Sequence, residues 1–99
     1  MSANQVVLIT GANQGLGFAA VQQIAALPGW TVLLGARDPI RGKEAVEKIT
    51  AAGPVSEVEL VVLDVTSDAS IDAAAKHIEE KFGRLDVLVV RTSHLVLAS

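Results

Sequence analysis

The chain contains no cysteine and no tyrosine. Without cysteine there are no disulfides and no thiolate metal sites, which fits a reducing cytoplasmic setting. A basic excess is also missing: 8 Lys and Arg stand against 11 Asp and Glu, for a formal net charge of −3. With no basic stripe or tail to neutralise phosphates, nucleic acid is not an expected partner. The opening stretch "MSANQVVLIT" has neither a basic segment nor a long apolar one, so a signal peptide is not expected. No apolar run approaches the roughly 20 residues that cross a bilayer. What remains is 99 residues, 51% hydrophobic and 19% charged. That composition describes one globular domain rather than a disordered chain.

Strand-length apolar runs alternate with helical stretches. Residues 5–10 form a β-branched run ended by Gly11. Residues 15–27 carry Leu16, Ala20, Ile24 and Leu27 on one helical face, and Pro28-Gly29 stops the pattern. A second strand is predicted over 30–35. Asp38-Pro39 then supplies an N-cap followed by proline at the first helical position, opening a helix with Val46 and Ile49 inward that ends near Gly53. A third strand is predicted over 58–64. Ser67 caps a third helix, whose expected buried stripe is Ile71, Ala75, Ile78 and Phe82, with Gly83 as terminator. His77 lies off that stripe, as a solvated residue does. The fourth strand is predicted over 86–90. Strands apolar throughout are buried on both faces, as in a parallel sheet. Right-handed crossovers then give an α/β domain: an open, doubly wound parallel sheet of four strands in order 3-2-1-4 with three crossover helices.

Between the first strand and the first helix lies "TGANQGLG", residues 10–17. Gly11 permits a sharp turn, Gly15 lets backbone approach a phosphate, and Gly17 allows close helix–strand contact. Placed after a strand and at the start of a helix, this loop is a candidate anion cradle, against the alternative of a glycine-rich turn with no ligand.

The spacing Thr-Gly-x3-Gly-x-Gly resembles the short-chain dehydrogenase/reductase family. "VLLGARDPIRGKEAVEKI", "LDVTSDASI" and "FGRLDVLV" extend the likeness to its carbonyl-reductase and salutaridine/menthone-reductase branch. The resemblance implies a Rossmann-like dinucleotide-binding domain, with Gly11, Asn13, Gln14, Gly15, Leu16 and Gly17 at the cofactor. It also implies that Asp64 and Val65 hold the adenine, although Asp64 is equally suited to capping the turn it stands in. An NAD site places an acid at the end of the second strand. Here that position is Ala36, followed by Arg37, whose guanidinium suits a ribose 2′-phosphate, so NADP(H) is expected over NAD(H). A solvated surface arginine is the competing reading of Arg37. Arg41, one helical turn on, is placed either to assist or to face solvent.

After "LDVLV" the family continues Asn-Asn-Ala-Gly, where this chain has Val90, Arg91, Thr92 and Ser93. The family's catalytic Ser and its Tyr-x3-Lys pair follow later, and the tyrosine is its general acid/base. The reading is therefore of a half-domain truncated within its family pattern, with residues 90–99 as a non-family tail and no catalytic residues. Ser93 and His94 are no substitute, because adjacent residues of an extended segment point to opposite faces. The sequence reads as an NADP(H)-binding fragment, weak in affinity and inactive alone. The other reading is a self-associating or regulatory module. An uncovered sheet face and a fourth strand turned into an edge make a homo-oligomer the expected partner state, with a full-length relative as the other candidate partner. Leu95, Val96 and Leu97 of the tail are placed to join that surface. No metal is expected.

Overall fold

The computed structural model describes residues 5–12 and 15–89. The element order is β1 (Gln5–Ile9), α1 (Gly15–Ala25), β2 (Trp30–Ala36), α2 (Pro39–Ala51), β3 (Glu57–Val62), α3 (Asp68–Phe82) and β4 (Val87–Val89). All pairings are parallel and the order is β3-β2-β1-β4, as predicted.

The caps act as their residue types dictate. Asp38 Oδ1 accepts from the Ile40 N–H at 2.9 Å, with Pro39 beside it in the first turn of α2. Ser67 Oγ accepts from the Ser70 N–H at 3.2 Å to open α3. Gly83 closes α3 in the left-handed region, φ 79°, which costs glycine little.

Strand alternation divides the core into two layers. Val7, Ile9, Val32, Leu34 and Ala36 meet Val21 and Ala25 of α1 and Ala45 and Ile49 of α2. Val6, Leu8, Leu33, Val61 and Leu63 meet Ala74 and Ile78 of α3 on the other face. Two helices on one face and one on the other is what right-handed crossovers give when successive strands are added in one direction across the sheet up to β3 and β4 is then added on the other side of β1. Leu88, paired in register with Leu8, lies on the α3 face, yet its surface is 54% exposed.

Two helical stripes differ from expectation. On α1 the buried residues are Gly17, Val21 and Ala25, while Leu16 is 71% and Leu27 52% exposed. The helix is turned about one residue, about 100°, from the stripe of large side chains. Its small residues face the sheet because Gly17 must approach the β1 turn closely. On α3 the buried pair is Ala74 and Ile78 with Phe82 partly covered, whereas Ile71 and Ala75 are exposed. The strand expected over 58–64 is registered as Glu57–Val62, and Val62 stands half exposed at the β3 edge. Residue 90 of the expected fourth strand, and the 90–99 tail, lie outside the described residues.

Candidate functional site

The loop after β1 lies at the sheet's switch point, where the chain's strand order reverses between β1 and β4. Thr10 is buried there; its N–H donates to the Val89 carbonyl at 2.9 Å and its hydroxyl to the same oxygen at 3.4 Å. Gly11 adopts φ 60°, which an L side chain resists. The Ala12 N–H donates to Gly35 O at 2.9 Å. The loop is thus tied to the carboxyl ends of β4 and β2 before it enters α1.

The glycines of the loop have different duties. Gly15 opens α1 at φ 64°, and a Cβ placed there would meet nothing within 4 Å. The first-turn amides of a helix have no partner within the helix and can face an anion. A Cβ at Gly17 would lie 2.8 Å from Gly11 O and 3.0 Å from Ala12 Cα, so glycine there serves helix–turn packing. Leu16 projects outward between them. Asn13 and Gln14 lie outside the described residues.

The end of β2 adjoins this loop, and the end of β3 adjoins the end of β2. Ala36 is buried, and the next residue, Arg37, is exposed. No hydrogen bond or ion pair involves Arg37 among the described residues. Arg41, by contrast, stands 3.8 Å from Asp38, its Nε facing the Oδ2 of the cap residue. At the end of β3 the Leu63 N–H donates to Ala36 O at 2.9 Å. Asp64 Oδ1 then accepts from the Thr66 hydroxyl at 2.6 Å and the Thr66 N–H at 2.9 Å. Those two donors, hydroxyl first, hold the Asp64 carboxyl below its ordinary range, and the nearby charge of Arg37 adds to the effect. The Asp64 N–H donates to Ser70 Oγ at 2.9 Å, tying the turn to α3. Asp64 therefore does cap its own turn, with Oδ2 carrying no hydrogen bond among the described residues. Val65 is partly buried against the α3-side core.

Gly11, Gly15, Leu16, Gly17, Arg37, Asp64 and Val65 thus all follow the carboxyl ends of β1, β2 and β3. Thr10 and Thr66 were not singled out from the sequence. Asp-x-Thr is a readable turn signal, since a hydroxyl two residues on can bond the carboxylate. Thr10 carries no such local sign, because its partner is 79 residues away. Among the described residues no group of three or more His, Asp or Glu could hold a metal ion. Nor is any helix there long and apolar enough to cross a membrane.

An open parallel sheet with a glycine-rich helix start at its switch point is a dinucleotide-binding architecture of the doubly wound class. Within that class the chain belongs to the short chain dehydrogenase family, whose model matches residues 5–96. The match runs past Val89, further than the sequence likeness was expected to reach. A short-chain dehydrogenase/reductase of Aspergillus fumigatus is 49% identical over 89 residues, covering 89% of this chain and 34% of that protein. Salutaridine reductase from Papaver somniferum, a solved structure, is 36% identical with TM-score 0.78, over 86% of this chain and 29% of its own. A metagenomic short-chain oxidoreductase solved in complex with NADP is 35% identical with TM-score 0.76, over 87% and 38%. The chain spans about a third of the length of the curated relatives it matches.

Proposed function

We propose that this chain binds the ADP-ribose half of NADP(H), with the pyrophosphate on the Gly11–Gly17 loop and the ribose 2′-phosphate on Arg37. The observation that carries the cofactor choice is the end of β2: a buried Ala36 where an NAD site has its acid, then an exposed arginine. Arg41 is less suited, because it faces the carboxylate of Asp38. The helix start at Gly15 fits a pyrophosphate, and the Asp64 Oδ2 with the Val65 amide would take the adenine edge. Asn13 and Gln14 belong to the same proposed site.

The chain has no tyrosine. The general acid/base that the family resemblance implies therefore cannot come from these residues, and we infer no autonomous carbonyl reduction or alcohol oxidation by this chain alone. A few charge-assisted hydrogen bonds, each about 1.5–3 kcal/mol net, less the cost of ordering the ligand, give micromolar or weaker binding. Calorimetric titration with NADPH, 2′-phospho-ADP-ribose and NADH tests this reading. The expected order is the two phosphorylated ligands ahead of NADH. Equal affinity for all three, or none, rejects it.

One observation favours a second property, self-association. The β4 strand pairs only with β1 among the described residues, and Leu88 on its α3 face is half uncovered. An apolar strand edge of this kind recruits a partner, a second copy or a full-length relative. Sedimentation at tens of micromolar tests it; a stable monomer rejects it.

A further inference from the structure

We infer that Gly42, in the second turn of α2, positions Arg37 and so sets selectivity for the 2′-phosphate; the inference rests on the assignment of Arg37 above. A Cβ at Gly42 would lie 2.5 Å from Leu60 Cδ1 and 3.0 Å from Ala36 Cβ. The leucine methyl is the end of a side chain and can turn away. The Ala36 methyl cannot, because it is fixed to the backbone of the last residue of β2. Helix α2 therefore sits as close to the end of β2 as it does because position 42 has no side chain.

That closeness reaches Arg37 directly. Only Arg37 and Asp38 separate β2 from α2, so the linking backbone has no slack to absorb a shift of the helix. Asp38 is bound to the first turn through the N–H groups of Ile40 and Arg41, and its carbonyl accepts from the Gly42 N–H at 2.9 Å. A helix moved outward takes Asp38 with it and re-aims the arginine. The pyrophosphate loop is held differently, by Thr10 on Val89 and Ala12 on Gly35. One of those ties ends on Gly35, the residue before Ala36, so a change at position 42 reaches the pyrophosphate loop only through β2, whereas it reaches Arg37 through the two-residue link, and the 2′-phosphate arm is the more affected.

The test compares 2′-phospho-ADP-ribose with ADP-ribose on the full chain, wild type and Gly42→Ala, with circular dichroism confirming the fold. Alanine ordinarily favours a helix, so a loss of binding is not a loss of helix propensity. A misplaced arginine is expected to weaken 2′-phospho-ADP-ribose about tenfold, with ADP-ribose changed less than about twofold. In an Arg37→Ala background the same substitution is expected to leave both affinities alike, which a general destabilisation would not do. Adding Ala36→Gly removes the contact that cannot turn away and is expected to restore part of the discrimination; this double variant replaces Gly42→Ala if the single variant does not fold. If wild type discriminates between the two ligands while Gly42→Ala loses both equally, or neither, the Gly42 inference is overturned and the Arg37 reading stands. If wild type itself does not discriminate, both are overturned.

Discussion

Val6 and Asp86 are joined twice: the Val6 N–H donates to Asp86 Oδ2 at 2.7 Å, and the Asp86 N–H donates to Val6 O at 2.9 Å. The pair clamps the start of β4 to the start of β1, across 80 residues of chain. Arg84 Nε donates to the same carboxylate oxygen at 3.0 Å. With only three residues in β4, the clamp carries much of what keeps that strand in register.

Asp86→Ala is therefore expected to destabilise the fold by about 1–2 kcal/mol, the lower part of the range for hydrogen bonds to charged groups, since the carboxylate is partly solvated. Asp86→Asn keeps an acceptor for Val6 and is expected to lose less. Urea denaturation of the two variants measures the difference, and equal losses would contradict the clamp.

For Arg37→Ala the expected change is a loss of NADPH affinity of roughly tenfold or more, one charge-assisted contact, with NADH little affected. Arg41→Ala is expected to change either ligand by less than about twofold, because an exposed pair with Asp38 contributes little. Fluorescence titration with both nucleotides gives the four constants. A larger effect from Arg41 would move the 2′-phosphate subsite one helical turn along.

The two loop glycines should fail in different ways. Gly17→Ala drives a Cβ into the Gly11 carbonyl at 2.8 Å, backbone against backbone, so both stability and nucleotide binding are expected to fall together. Gly15→Ala meets no atom within 4 Å but holds φ 64°, at a conformational cost of about 1–2 kcal/mol. Thermal unfolding beside nucleotide titration separates the cases. A Gly17→Ala chain as stable as wild type would rule out the packing role.

At acidic pH the Asp64–Thr66 turn should loosen. The Asp64 carboxyl lies below its ordinary value of 3.8 in the folded chain, so its contribution is present above that value and is lost as pH falls through the lowered one. Thr66→Val removes the hydroxyl that is the leading cause and is expected to move the Asp64 titration upward, toward 3.8. Carboxyl carbon chemical shifts followed against pH report it directly. An unmoved titration would assign the shift to the backbone donor instead.

Leu88→Lys places a charge on the uncovered side of β4 and is expected to lower self-association without lowering stability, since the side chain is already half in water. Sedimentation velocity of the two chains compares them. A variant that unfolds would show instead that Leu88 supports the monomer.

The sequence by itself determined the elements, their order and the sheet topology. Asp38-Pro39, Ser67 and Gly83 are local capping signals that depend on a few neighbouring atoms, and continuously apolar strands leave a parallel sheet as the arrangement that buries both faces. It also marked Gly11, Gly15, Gly17 and Arg37, because turn and phosphate chemistry restrict the residue types a strand end can carry, and Asp64 through the family resemblance. Val46 and Ile49 of α2 face inward as expected, but only the tertiary structure decided which side of α1 and of the first half of α3 is covered. Periodicity on α1 pointed to Leu16 and Leu27, but contact with the β1 turn demanded the smallest residues, and Gly17, Val21 and Ala25 took the inner face. The same holds for Thr10 on Val89, Val6 on Asp86 and Gly42 beneath Ala36 and Leu60. These contacts join residues on different elements, and side-chain spacing along one element carries no information about the distance to another.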